Sequence, residues 1–316
     1  MKTYFFAAAT LAASLTCGAA TAAAQDARAM EILGKTRRAL GGEKLDAMKT
    51  FSLQAAAQRN IGERQMASEV ELFLEMPDKY MTSEVSRGMM NVTMNTGFNG
   101  DHAILPAHAS MAPGGAMIIR MGPGGPAPAE RPKLTDEQKA EVNRTSVRGA
   151  RVELSRLMLG WFGAVHPALD ARFTYAGEAE SPDGKAHVID VTDAAGFEAR
   201  LFVDQTSYLP LMVAYKGRAP RMVTSTGRDN PQGRELTGEE RRKLEQDTEE
   251  RIKRELAEQP LVDFSLFFDE WREVDGINFP HVMRRASGGE TTEEWTVNKV
   301  KVNPKIDPKK FAVDGR

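Results

Sequence analysis

The sequence predicts an α+β chain: one large, curved antiparallel sheet with helices packed on its concave side. Three observations carry this. Residues 262–302 form a meander in which Phe264, Leu266 and Phe268 alternate with Ser265, Phe267 and Asp269, and Ile277, Phe279, His281 and Met283 alternate again, before a third stretch, Thr291–Val302. A period of two is the signature of a strand. The same alternation recurs in residues 51–105 and 171–216, with tight turns between successive stretches. Such turns join antiparallel neighbours and leave no room for parallel crossovers. Helical segments separate these strand runs, and a sheet of this size curls around what packs against it.

Residues 25–40 read as a helix with Met30, Leu33, Arg37 and Leu40 on one face. Gly41-Gly42 stops it, because glycine takes the left-handed cap conformation cheaply. A short continuation, residues 45–49, precedes strands at 51–57, 70–76, 79–86, 89–97 and 103–105. Val70, Leu72, Leu74 and Met76 mark one buried face of the second strand. Residues 106–132 carry repeated Pro and Gly and read as a loop or flap. Thr135 and Gln138 form a capping box. The helix they open runs to about Phe162, with Val152, Ser155, Leu159 and Phe162 on a face widened by Leu154, Leu157, Met158 and Trp161. Strands return at 171–177, 186–192, 196–205 and 211–216. Residues 236–259 read as a surface helix, opened by Thr237 and Glu240, with a narrow stripe of Leu244, Ile252 and Leu256. Its Glu249/Lys253 and Glu250/Arg254 pairs support an exposed helix. Asp275-Gly276 supplies the next hairpin turn, and Phe311 tucks in from the tail.

The 316-residue chain opens with Lys2, an apolar run over residues 4–15 and Ala22-Ala23-Ala24. This order matches a secretory signal peptide cleaved near Ala24. The expected organisation is a signal peptide over 1–24 and one domain over 25–316. The sole cysteine, Cys17, lies in the segment to be removed, so no disulfide is expected. Loss of Lys2 takes the formal charge from −2 to −3. That balance gives no electrostatic footprint for nucleic acid. No later stretch reaches 18 apolar residues, so no membrane span is expected after cleavage.

Four stretches carry a family likeness: Leu40-Gly41-Gly42 before the first strand; Leu74-Glu75-Met76-Pro77-Asp78-Lys79-Tyr80; Leu201-Phe202-Val203-Asp204 followed by Leu209-Pro210-Leu211; and Val274-Asp275-Gly276-Ile277-Asn278-Phe279-Pro280, with Val302-Asn303-Pro304 and Phe311 closing the chain. In these the chain resembles the outer-membrane lipoprotein-carrier group, the LolA-like family of lipoprotein-sorting proteins. The resemblance implies an unclosed β-barrel with a helical lid, a periplasmic location and an apolar cavity for acyl chains. The family's functional arginine matches no particular residue here.

None of the five histidines, His102, His108, His166, His187 and His281, forms a short-spaced metal-ligating pair. No nucleophile motif, phosphate loop or zinc-protease motif is present. Asp269, Glu270, Glu293 and Glu294 read as surface acids rather than a catalytic pair. The methionines have three readings: core filling, an adaptable ligand lining, or soft ligands for Cu(I) beside His102 and His108. Met81, Met89, Met90 and Met94 cluster in the early hairpin, and Met111, Met117 and Met121 in the flap. The cavity candidates are Met81, Met90, Met94, Phe264, Leu266, Phe268, Trp271, Phe279 and Trp295. No cofactor and no metal are expected. The expectation is a non-catalytic carrier or binding protein for a lipid or acylated protein, its mouth gated by the flap. The second reading is a cell-envelope interaction module that docks a protein partner on the charged helix.

Overall fold

The computed structural model describes residues 19–61, 64–86, 92–105, 109–111, 117–119, 135–182, 184–218 and 260–313, with isolated helical positions at 243, 247, 251, 254 and 258. Helices α1 (Ala19–Leu40) and α2 (Glu43–Asp46) lead into strands β1 (Thr50–Ile61), β2 (Arg64–Glu75), β3 (Lys79–Ser86), β4 (Val92–Asn99) and β5 (His102–Ile104). Two three-residue strands, β6 (Ala109–Met111) and β7 (Met117–Ile119), pair with each other. Helix α3 (Asp136–Phe162) follows, then β8 (Arg172–Ser181), β9 (Gly184–Thr192), β10 (Glu198–Asp204) and β11 (Pro210–Arg218). The last meander is β12 (Leu261–Val274), β13 (Ile277–Ser287) and β14 (Glu290–Val302).

All but β6 and β7 join one 12-stranded antiparallel sheet in the order β5-β4-β3-β2-β1-β14-β13-β12-β11-β10-β9-β8. Among the described residues β5 and β8 have one neighbour each, so the sheet does not close. One pairing links the distant meanders: β1 runs beside β14, with Phe51 opposite Val302 and Arg59 opposite Glu293. The hairpin at Asp275-Gly276 has both residues at positive φ, 54° and 81°, the geometry a two-residue hairpin turn requires.

Helices α1 and α3 pack on the concave side. From α1, Ala29, Ile32, Leu33 and Leu40 are buried; from α3, Leu154 and Leu157–Phe162 are buried. Gly160 sits so close to Phe268 that a Cβ there would lie 1.9 Å from the ring. Trp161 packs at a tilt against Phe51 and Phe279 at centroid distances of 5.8 and 5.3 Å and donates its Nε1–H to the Met283 sulfur at 3.0 Å. The Thr135/Gln138 capping box is formed as the sequence implies.

Three expectations change. Helix α1 begins at Ala19 rather than Gln25. Helix α3 is not largely buried: residues 135–141 are exposed, because the helix projects past the apolar stripe that docks it. Met81 is not on the concave face. It packs with Ile104 and Phe311 in a small separate cluster on the opposite face, because its neighbour Tyr80 takes the concave side with Phe98 and strand side chains alternate. Of the expected surface helix, Lys243, Asp247, Arg251, Arg254 and Glu258 are helical and exposed. Thr237, Glu240 and the apolar stripe lie outside the described residues.

Candidate functional site

Most of the expected cavity lining is filled core. Phe264, Leu266, Phe268 and Phe279 are buried in the main cluster beneath α1 and α3. Trp271 and Trp295 are partly buried against it. Met94 is half-buried on β4, opposite Glu84 of β3. Met90, Met89, His108 and the side chains of Met111, Met117 and Met121 lie outside the described residues. Alternation identified the inward face; it carried no information on whether a helix or a void would meet that face.

A void exists at one end of the sheet, in a place the sequence did not single out. A cavity of about 300 Å³ opens between α1, α2, the end of β2 and the last turns of α3. Leu45, Met48, Leu74, Met76, Leu154, Met158 and Phe162 give it an apolar wall, continued by Ala164 and Val165; Arg37, Asp46 and His166 are its charged and polar lining. Its methionines come from three segments far apart in the chain, so no local cluster could have announced them.

The loop after α3 shapes the cavity. Gly163, at φ 58°, takes the left-handed cap and returns its amide to the Met158 carbonyl, which turns Ala164 and Val165 across the helix end. Ser155 ties the loop back: its hydroxyl donates to the Arg151 carbonyl at 2.7 Å and accepts from the His166 amide at 3.0 Å. His166 is buried, with Nδ1 accepting from the Ala168 amide at 3.1 Å. Its Nε2 therefore carries the proton and donates to the Pro77 carbonyl at 2.8 Å. Burial lowers the imidazole pKa, Arg151 adds to this, and the Pro77 carbonyl opposes it. At the mouth, Arg37 Nη1 donates to the Phe162 carbonyl at 2.9 Å and Nη2 pairs with Asp46.

The other end of the concave face is ionic. Glu84, Arg59, Glu293, Arg285, Glu153 and Arg156 form a chain of alternating charge from β3 to α3. Arg59 meets Glu84 at 3.1 Å and Glu293 at 2.6 Å. Arg285 lies 3.3 Å from Glu293 and pairs with Glu153, which lies 3.2 Å from Arg156. The register explains the middle: Glu293 stands opposite Arg59 on one side and Arg285 on the other. Ser68 donates to Glu84 and the Trp295 indole to Glu293. Arg156 lies 3.9 Å from the centre of the Tyr215 ring. Burial pushes the Glu153 carboxyl up, but Arg285 and Arg156 outweigh it and hold the pKa at about 2. Burial pushes Tyr215 up to about 12, aided by Glu153.

The four acids noted in the sequence separate. Glu293 belongs to this chain; Asp269 pairs with Arg284 and Glu270 with Arg272. Glu294 is Glu293's immediate neighbour on β14 and so faces the other way. Among the described residues no group of three or more His, Cys, Asp or Glu is placed to hold a metal. None of the described helices is long and apolar enough to cross a membrane.

No protein-family model and no curated protein matches the chain. Several solved structures are similar in fold. A LolA superfamily protein from Nitrosomonas europaea has a TM-score of 0.46 and 9% identity, covering 90% of this chain and 98% of that one. A putative outer membrane lipoprotein-sorting protein domain from Vibrio parahaemolyticus has 0.44 and 9%, covering 90% and 97%. A DUF1329 family protein from Desulfovibrio piger has 0.41 and 12%, covering 90% and 97%.

Proposed function

We propose that the protein is an exported, non-catalytic carrier or binding protein that holds the acyl part of a lipid or lipidated partner in the cavity beside α2. The observation behind this reading is that cavity. At about 300 Å³ it falls at the small end of ligand pockets, and an apolar wall with a few polar groups is their usual composition. Met48, Met76 and Met158 suit a flexible chain, because thioethers adapt to irregular contacts. Burial of each methylene contributes about 0.8 kcal/mol, so even a short chain gives measurable affinity. The filled centre of the face moves the proposed site away from Phe264, Phe268 and Phe279. Periplasmic location rests on the amino-terminal pattern of Lys2, the apolar run and Ala22-Ala23-Ala24.

The test is native mass spectrometry of the protein purified from the periplasm, with organic extraction and an Ala164→Trp variant alongside. Ala164 lines the cavity, and an indole there fills it. A co-purifying acyl compound in the parent and none in the folded variant is the expected result. An apo parent that takes up no added acyl compound, or equal loading of parent and variant, overturns the reading.

A further inference from the structure

We propose that the cavity takes a single acyl chain bearing an oxyanion head, with Arg37 as the residue that holds the head. This rests on the carrier reading and narrows its ligand class.

Volume limits the chain. An apolar cavity of about 150 Å³ accommodates benzene, six carbons. A cavity of about 300 Å³ therefore holds roughly a dozen apolar heavy atoms by the same scale, which is one chain of medium length. The apolar wall therefore matches one chain better than the two or three chains of a membrane lipid or a fully acylated protein.

Charge sets the head. Among the described lining residues Arg37 is the one arginine or lysine and Asp46 the one acid. The guanidinium is fixed at one corner by the Phe162 carbonyl and reaches solvent with about a third of its side-chain surface exposed. Its second contact, Asp46, is 63% exposed, and such surface pairs contribute little. A carboxylate or phosphate at the mouth can replace Asp46 on the planar fork, which suits either oxyanion. Residues 37–46 carry Arg37, Arg38 and Lys44 against Glu43 and Asp46, so removing the Asp46 contact leaves the mouth positive. An alkyl chain entering past Arg37 meets Leu45, Met48 and Met158 and leaves its head at the guanidinium.

The experiment compares monomeric dodecanoate, dodecyl phosphate and dodecanol by calorimetry on the full chain, with Arg37→Gln and Asp46→Asn variants. The parent should bind the two anions about tenfold or more tighter than the alcohol, the difference an arginine–oxyanion contact supplies. Arg37→Gln should remove that preference while dodecanol binding persists, which also shows that the pocket is still folded. Asp46→Asn should tighten anion binding. A stronger response to the phosphate identifies a lysophospholipid-type head, and a stronger response to the carboxylate a fatty acid. Equal affinity of the parent for acid and alcohol overturns the head-group inference and leaves the carrier reading standing. Two-chain phosphatidic acid binding as tightly as dodecyl phosphate overturns the single-chain inference. Binding of none of the probes overturns both.

Discussion

The two ends of the concave face solve the same packing problem in opposite ways. At the far end α3 meets the sheet through charge: Glu153 and Arg156 join Arg285, Glu293, Arg59 and Glu84 in a chain of ion pairs. At the near end α3 stops at Gly163 and its loop leaves an apolar void. Charges taken from water must be paired, so the ionic end is specified by geometry and tolerates no guest. Apolar walls are non-directional, so the near end accepts what fits. A cavity forgoes dispersion contacts along its lining.

Breaking the ionic end should have the largest effect. Arg285→Ala breaks the chain at its middle, leaving Glu153 with Arg156 alone and Glu293 with Arg59 alone, and loss of one partner of a buried pair costs about 3 kcal/mol. Urea unfolding should show that loss, with dodecanol affinity kept at the near end. Equal stability of parent and variant would mean the charge chain is ornamental. Between the two ends, Gly160→Ala pushes a methyl into the Phe268 ring and should cost about 2 kcal/mol as overpacking. A second substitution, Phe268→Leu, should recover part of it. Failure to recover would place the strain elsewhere.

Acid separates the ends with the smallest perturbation. The His166 pKa is depressed below 6.5, so the unfolded chain takes up the proton first. Its contribution is present above about 6.5 and is lost as pH falls from there toward the folded value. The Glu153 carboxyl titrates at about 2 against an ordinary 4.5, so its contribution is present above 4.5 and is lost between 4.5 and about 2. Hydrogen exchange at pH 5.5 should therefore show the amides of 164–166 and 168 losing protection while 284–295 keep theirs. The reverse order would contradict both assignments.

Local rules read well in this sequence. The Thr135/Gln138 box, the Asp275-Gly276 hairpin and the buried row Val70, Leu72, Leu74 appear where spacing places them. What misled was adjacency. Met81 lies among the methionines of its hairpin in sequence, yet one residue of offset puts it on the opposite face from Tyr80. The aromatic row of β12 and β13 was legible as inward-facing, but the helix that covers it is more than a hundred residues away. The same distance hides the ion chain: Arg59 and Glu293 are separated by 234 positions, and nothing local distinguishes them from surface charges. Met48, Met76 and Met158 line the cavity, and locally they read as part of a short helical continuation, a strand end and a buried helix face.

The most direct measurement of where a ligand binds is photo-crosslinking with dodecanoate carrying a diazirine at its chain end, mapped by peptide mass spectrometry. The account predicts label on the peptides that contain Met48, Leu74–Met76 and Leu154–Val165, reduced by Ala164→Trp. Label concentrated instead on Met94, Trp271 or Trp295 would contradict it and return the site to the face that α3 covers.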